Sequence, residues 1–353
     1  MQLNDYTTLG RSGLRVSPLC LGTMTFGNPR WGSDDAEAKR IFDRFVDKGG
    51  NFLDVADSYE EGRSEETLGR FIAERKLHDR LVIATKFTFN AEEGNPNAGG
   101  NGRKNIYRAL EGSLRRLKME YVDMYWMHVW DMLTPVEEVV STLSDLVCEG
   151  KIRYYGFSDV PAWYAARACT LAEERCQHSP VGLQLEYSLV ERNIEREHIP
   201  AAAELGLGIC PWSPLASGFL AGKYTRLGPA SSKGSRLDVL KESQNPVFQK
   251  FTDRNWRILE TLNEVAKKLN RSAAEVALNW VATQPGVTST IIGATSLKQL
   301  DANLASTTFD IPADLRSKLD EVSKIESVHP YMFFEELLQS RVRGGVNVRK
   351  WSC

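Results

Sequence analysis

The 353-residue sequence holds no apolar run long enough to span a bilayer, and its start, MQLNDYTTLGRSG, lacks a basic-then-apolar leader. A cytoplasmic chain with no membrane partner is therefore expected. It has no excess of charge: 44 Lys and Arg stand against 46 Asp and Glu, which removes the electrostatic footprint of a nucleic-acid binder. The six cysteines (Cys20, Cys148, Cys169, Cys176, Cys210 and Cys353) form no Cys-x-x-Cys pair and no grouping with histidine, so neither a disulfide framework nor a metal site is expected. Two dinucleotide signatures are also missing. No Gly-x-Gly-x-x-Gly follows a strand and there is no Tyr-x-x-x-Lys, which disfavours Rossmann-type dehydrogenases. GFLAGK has three residues between its glycines where a P-loop has four, and Tyr224 where Ser or Thr is needed, so an NTPase is excluded.

What the chain does have is a repeated strand–helix unit. After a hairpin at about residues 5–17 come eight apolar strands: LCLGTMTFG, NFLDVA, LVIATK, YVDMYWMH, IRYYGFS, GLQLEYS, LGICPWS and STIIGATS. Helical patterns follow them. DDAEAKRIFDRFVDKG places Ala36, Ile41, Phe45 and Val46 on one face; Thr134 and Pro135 open the helix that stops at Gly150; Ser272 and Glu275 form a capping box. Continuous rather than alternating apolar strands suit a parallel sheet covered on both sides. An open doubly wound sheet competes, but nearly every strand ends in a polar or glycine-containing signature, as expected when a site is assembled from all the strand ends of a barrel. The expected fold is a single (β/α)8 TIM barrel over residues 1–353.

Three segments depart from the repeat: Thr88 to Lys104 after the third strand, Gly222 to Lys250 after the seventh, and the aromatic tail at about 327–353. All three are expected over the active face, the tail by docking.

Three successive apolar runs close on ionisable residues: Asp54, with Tyr59 a short turn later, then Lys86, then His128. A phenol, with an ordinary pKa of about 10, exchanges protons poorly at neutral pH unless a nearby cation lowers that value. Lys86 could supply the cation and Asp54 would keep it protonated. His128 adds a donor that can orient a carbonyl or alcohol oxygen. The four make an acid/base centre on Tyr59 without nucleophile or metal, suited to protonating a carbonyl oxygen as hydride reaches carbon. The hydride must come from a cofactor.

NFLDVADSY, IATK and MYWMHVWD resemble the catalytic motifs of the aldo-keto reductase superfamily, and the similarity continues through GKIRYYGFSD, LQLEYSLVER, PWSPLASGFLAGKY and IIGATSLKQLDANL. The resemblance runs from about Leu14 to Ala305. It implies a (β/α)8 barrel and NAD(P)H-dependent carbonyl reduction, with Tyr59 as proton donor, Lys86 and Asp54 tuning it, and His128 positioning the substrate. Some relatives serve instead as auxiliary subunits of membrane channels, so a cofactor-binding sensor or regulatory subunit is the alternative.

By the same resemblance the cofactor, NADPH or NADP+ with NADH or NAD+ as the alternative pair, is expected against Gly22, Thr23, Met24 and Asp54. Ser158 and Gln184 are expected at the nicotinamide carboxamide, and Trp212 stacked on its ring. Ser213, Leu215, Gly218 and Lys223 would surround the pyrophosphate, and Arg236 the phosphates or adenine. Gly293, Thr295, Ser296, Gln299 and Asn303 complete the set, with Thr295 and Ser296 at a 2′-phosphate. The family commonly has Asn after that first serine; here Asp159 accepts but, when ionised, does not donate. Ser296 and Gln299 also form a capping-box pattern on physical grounds, presenting a helix N-terminus to phosphate. The small-molecule carbonyl or alcohol is expected among Met24, Trp31, Phe87, Trp130 and tail aromatics such as Tyr331.

Overall fold

A computed structural model describes residues 1–28, 32–222, 224, 226, 237 and 245–348. Two short antiparallel strands, β1 (Thr7–Thr8) and β2 (Arg15–Val16), form the expected hairpin. Eight parallel strands follow: β3 (Leu19–Gly22), β4 (Phe52–Asp54), β5 (Val82–Phe87), β6 (Val122–Met127), β7 (Ile152–Ser158), β8 (Gly182–Glu186), β9 (Gly208–Trp212) and β10 (Thr290–Ile292). They are hydrogen-bonded in chain order, with β10 beside β3. The ring closes between β9 and the approach to β10, where Ile209 N–H donates to Gly286 O at 3.1 Å and Thr288 N–H to Ile209 O at 2.8 Å. This is the expected (β/α)8 barrel.

Among the described residues the α-helices are α1 (Asp35–Asp47), α2 (Arg63–Arg75), α3 (Arg103–Leu117), α4 (Val136–Cys148), α5 (Ala162–Glu174), α6 (His198–Leu205), α7 (Asp253–Leu269), α8 (Ala273–Ala282), α9 (Leu297–Ala305), α10 (Ala313–Val322) and α11 (Glu336–Val342). In α1 the buried face is Ala38, Ile41, Phe42 and Phe45, while Ala36 is exposed and Val46 half-buried. The true stripe follows i, i+3, i+4, i+7 spacing. The Ser272–Glu275 capping box forms in both directions. Thr134 does not cap α4: its hydroxyl donates to Asp131 Oδ2 at 2.7 Å, and the helix begins after Pro135. Sequence patterning missed α10, whose buried residues are only Leu315 and Leu319, and α11, which buries none.

Strand residues alternate between two cores. Val82, Ala84, Phe52, Met124, Trp126 and Cys210 fill the barrel interior, whereas Ile83, Phe87, Leu53, Tyr125 and Ile209 face the helices. The hairpin adds Leu9 and Val16 to the interior group. It approaches so closely that a Cβ on Gly10, which has φ +58°, would lie 2.3 Å from Val181 O. One end of the barrel is thereby covered by apolar chain. The other, where the strands end, is left to polar side chains.

Candidate active site

The two-residue period of the strands decides which side chains meet. Asp54 pairs in register with Ala84 and Lys86 with Trp126, both interior residues, so the carboxylate and ammonium continue the interior file toward the strands' carboxyl ends. His128 follows two residues after the interior Trp126, and its N–H donates to Phe87 O at 3.0 Å, extending the ladder beyond β6.

Lys86 is wholly buried and donates three hydrogen bonds: to Asp54 Oδ2, to Val55 O at 2.9 Å and to Tyr59 Oη at 3.1 Å. Those use all three ammonium protons. Tyr59 is brought over Lys86 by a tight turn, Tyr59–Gly62, in which Glu60 and Glu61 take left-handed backbone angles; Nζ lies 4.7 Å from the phenol ring centre. The His128 ring stands edge-on to it, with centroids 6.0 Å apart. The four expected catalytic residues therefore form one cluster.

Its charges follow from the contacts. Burial disfavours a charged Lys86, but Asp54 and Tyr59 outweigh it and hold the ammonium above its ordinary pKa. Burial and the Lys86 charge push His128 well below its usual range, so its imidazole is neutral. His128 Nδ1 has no partner among the described residues.

Around the ring, Ser158 pairs in register with Gln184, and both are buried. Gln184 Nε2 donates to Asp54 Oδ1 at 2.9 Å, tying this side of the barrel to the cluster of Asp54, Tyr59, Lys86 and His128. Trp212, at the end of β9, is half-buried and donates through Nε1 to Asp159 Oδ1 at 3.1 Å. Beyond β9 the chain turns with Ser213, Ala216 and Ser217 in left-handed conformations and Gly218 at φ +91°. Ser213 Oγ accepts from Ser217 N–H at 3.0 Å. Ser217 Oγ is buried without a partner among the described residues, and apart from its chain neighbours no described residue comes within 4 Å of where a Cβ on Gly218 would stand. Polar, open and strained backbone of this kind collects at binding sites.

At the start of α9 the expected capping box is half formed. Ser296 Oγ accepts from Gln299 N–H at 3.3 Å, but Gln299 Oε1 turns to Thr295 N and Oγ1 at 2.9 and 3.0 Å instead of returning to Ser296. Leu297 N–H donates to Glu37 Oε1 of α1 at 2.8 Å, and Asn303 Nδ2 to Gly293 O at 3.0 Å. Lys298 is exposed. Gly22 and Met24 are half-buried; Thr23 is buried, its hydroxyl donating to Asp54 O at 3.1 Å.

The substrate expectations fare unevenly. Phe87 is wholly buried and packs on Tyr125 at a centroid distance of 4.8 Å, in the layer between sheet and helices. It cannot line the cleft, because Lys86 faces inward and its neighbour must face outward. Trp130 is half-buried against Trp163 and Tyr164 at 5.3 and 5.7 Å, beside a surface pocket of about 210 Å³ that also includes Met132 and Leu133. Tyr331 bonds through its hydroxyl to Glu197 at 2.6 Å, next to the N-terminus of α6, with Arg196 over its ring. Trp31, Lys223 and Arg236 lie outside the described residues.

Sequence reading missed Phe89 and Asp131. Phe89 is 48% exposed and meets the His128 ring edge-on at 4.8 Å. Asp131 accepts from the N–H groups of Asn101, Leu133 and Thr134 and from the Thr134 hydroxyl, joining the loops after β5 and β6. An exposed Phe in a Gly- and Asn-rich loop was the available signal for the first.

The profile of the Aldo/keto reductase family matches residues 18–324. A protein named as an uncharacterized oxidoreductase, YrpG, of Bacillus subtilis (strain 168) is 35% identical over 90% of this chain and 95% of its own length. A probable voltage-gated potassium channel subunit beta of Oryza sativa subsp. japonica is 38% identical over 92% of this chain and 96% of its own. A norsolorinic acid reductase of Aspergillus flavus is 30% identical over 93% and 84%.

Proposed function

The chain belongs to the Aldo/keto reductase family, and we propose that it is an oxidoreductase that interconverts an aldehyde or ketone and the corresponding alcohol. The observation that carries this reading is the Lys86 ammonium, held by Asp54 and Val55 O while donating to the Tyr59 hydroxyl at 3.1 Å. Because the phenol oxygen accepts from Lys86, its own O–H is directed elsewhere, and an ammonium at that oxygen stabilises negative charge as the proton leaves. Tyr59 gives its proton to the developing alkoxide during reduction and takes one from the alcohol during oxidation. Neutral His128 offers an N–H to the same substrate oxygen without placing a second full charge beside Lys86. Phe89 and Trp130 give the apolar remainder of the substrate a surface to lie on.

NADPH or NADP+ is the proposed cofactor, with NADH and NAD+ as the alternative pair; when bound it donates or accepts the hydride. Ser158, Gln184 and Trp212 would hold the nicotinamide end. Ser213, Leu215, Ser217 and Gly218 would hold the phosphates, a fit supported by the Ser217 hydroxyl and the space over Gly218, neither met by a partner among the described residues. Thr295, Ser296, Gln299 and Asn303 would take the adenosine end.

The test follows absorbance of the reduced nicotinamide with a panel of aromatic and aliphatic aldehydes and ketones, using NADPH and NADH in parallel. Turnover that disappears in Tyr59→Phe is expected. Tight cofactor binding with no turnover across the panel would overturn it and favour the second reading, a catalytically weak cofactor-binding sensor or regulatory subunit. That reading draws its support from the 38% identity to a potassium channel subunit.

A further inference from the structure

Asp159 stands immediately beyond β7 in a left-handed conformation, φ +48°, with its N–H donating to Gln184 O at 3.3 Å. One carboxylate oxygen accepts from the Trp212 indole at 3.1 Å and the other from Ser158 Oγ at 3.3 Å. The side chain is exposed at the carboxyl end of β7. Its two bonds tie the Trp212 indole and the Ser158 hydroxyl to one titratable carboxylate. No role in moving the proton needs this group, since Tyr59, Lys86 and Asp54 already form a closed set.

We infer that Asp159 selects the redox state of the nicotinamide, its carboxylate favouring the positively charged oxidised ring over the neutral reduced ring at the Trp212 face. The inference rests on the cofactor placement proposed above. Covering a carboxylate with a neutral ring removes water and returns nothing; covering it with a cation returns a Coulombic attraction. The selection is therefore pH-dependent.

Other charges set the background. Glu186 on β8 is paired with Lys250 at 2.8 Å, Lys86 on β5 with Asp54 on β4, and His128 beyond β6 is neutral. From α6, His198 Nε2 is bonded to Val160 O at 2.8 Å. Desolvation by the protein packed around it pushes the Asp159 carboxyl up to about 7 although the side chain keeps an exposed face; the Trp212 and Ser158 bonds counter that push, Glu186 adds to it and the Lys86 charge lowers it. Water in the open cleft moderates that push; a bound ring would enforce it.

Dissociation constants of NADP+ and NADPH for the full chain, measured by fluorescence from pH 6 to 8.5, test this. Taking their ratio cancels the titration of the shared phosphates. In the wild type, preference for NADP+ over NADPH is expected to rise across the range, by roughly tenfold for each unit by which the Asp159 pKa differs between the two complexes. Asp159→Asn keeps an acceptor for Trp212 and should give a flat ratio; Asp159→Ala should also be flat and should weaken both ligands. Calorimetry of the wild type in two buffers of different ionisation enthalpy gives a check that needs no variant: NADP+ should bind with more proton release than NADPH near pH 7. A flat wild-type ratio, equal proton release, or a rise that persists in Asp159→Asn overturns the selector. Failure of both nucleotides to bind overturns the cofactor placement itself, a different result.

Discussion

Asp54 and Gln184 lie 130 residues apart in sequence and 2.9 Å apart across the barrel, Gln184 Nε2 donating to the carboxylate oxygen that Lys86 leaves open. Asp54 thereby bridges the side of the cleft proposed to handle the proton and the side proposed for the nicotinamide. The same carboxylate fixes the ammonium and aims the amide. Its loss should disturb both.

For Tyr59→Phe the expectation is a fall in kcat of roughly 10²- to 10⁴-fold, the usual contribution of a positioned acid or base. Cofactor affinity should be unchanged, because the hydroxyl serves the transition state. Single-turnover kinetics alongside cofactor titration would separate the two, and unaltered turnover would remove Tyr59 from the reaction.

Phe87→Ala and Phe89→Ala should behave oppositely although the residues are two apart. Phe87 is wholly buried, so its truncation should cost about 3 kcal/mol or more in urea denaturation. Phe89 is half exposed against His128, so its truncation should leave stability nearly intact while raising KM for aromatic carbonyls. Equal destabilisation by both would contradict this placement.

Asp57 gives a pH signature. Burial, then repulsion from Glu65, raises its carboxyl from about 4 in the unfolded chain to about 7 in the fold, and Oδ1 has no partner among the described residues. Between those values the folded state binds more protons than the unfolded state, so stability from this group falls as pH rises through that window. Asp57→Asn removes the dependence. Denaturation at pH 5 and pH 8 should show the variant gaining on the wild type at the higher pH; a constant difference would refute the assignment.

Lys298→Ala is expected to weaken NADPH more than NADH. The lysine is exposed, and an exposed charge contact contributes up to about 1 kcal/mol, or roughly fivefold in affinity. Equal losses for both cofactors would place Lys298 away from a 2′-phosphate.

Several features were legible before folding was considered. Asp54, Lys86 and His128 each close an apolar run, and eight such runs alternating with helical patterns imply the barrel. Less visible were features that depend on an unseen partner. Thr134 reads as a helix cap until Asp131 is placed beside it. Gln299 completes a capping box on paper, but the Thr295 backbone and hydroxyl lie closer to its amide oxygen.

The sequence by itself determined which chemical groups are delivered to the strand ends, because local apolar runs, turn residues and helix caps act over a few positions. Only the tertiary structure decided which of them face one another. A strand buried on both sides shows no alternation in its sequence, so nothing local distinguishes Lys86, turned into the barrel, from Phe87, turned out to the helices. Sheet register and closure make that choice, and the same closure brings Gln184 to Asp54 and Asp159 to Trp212.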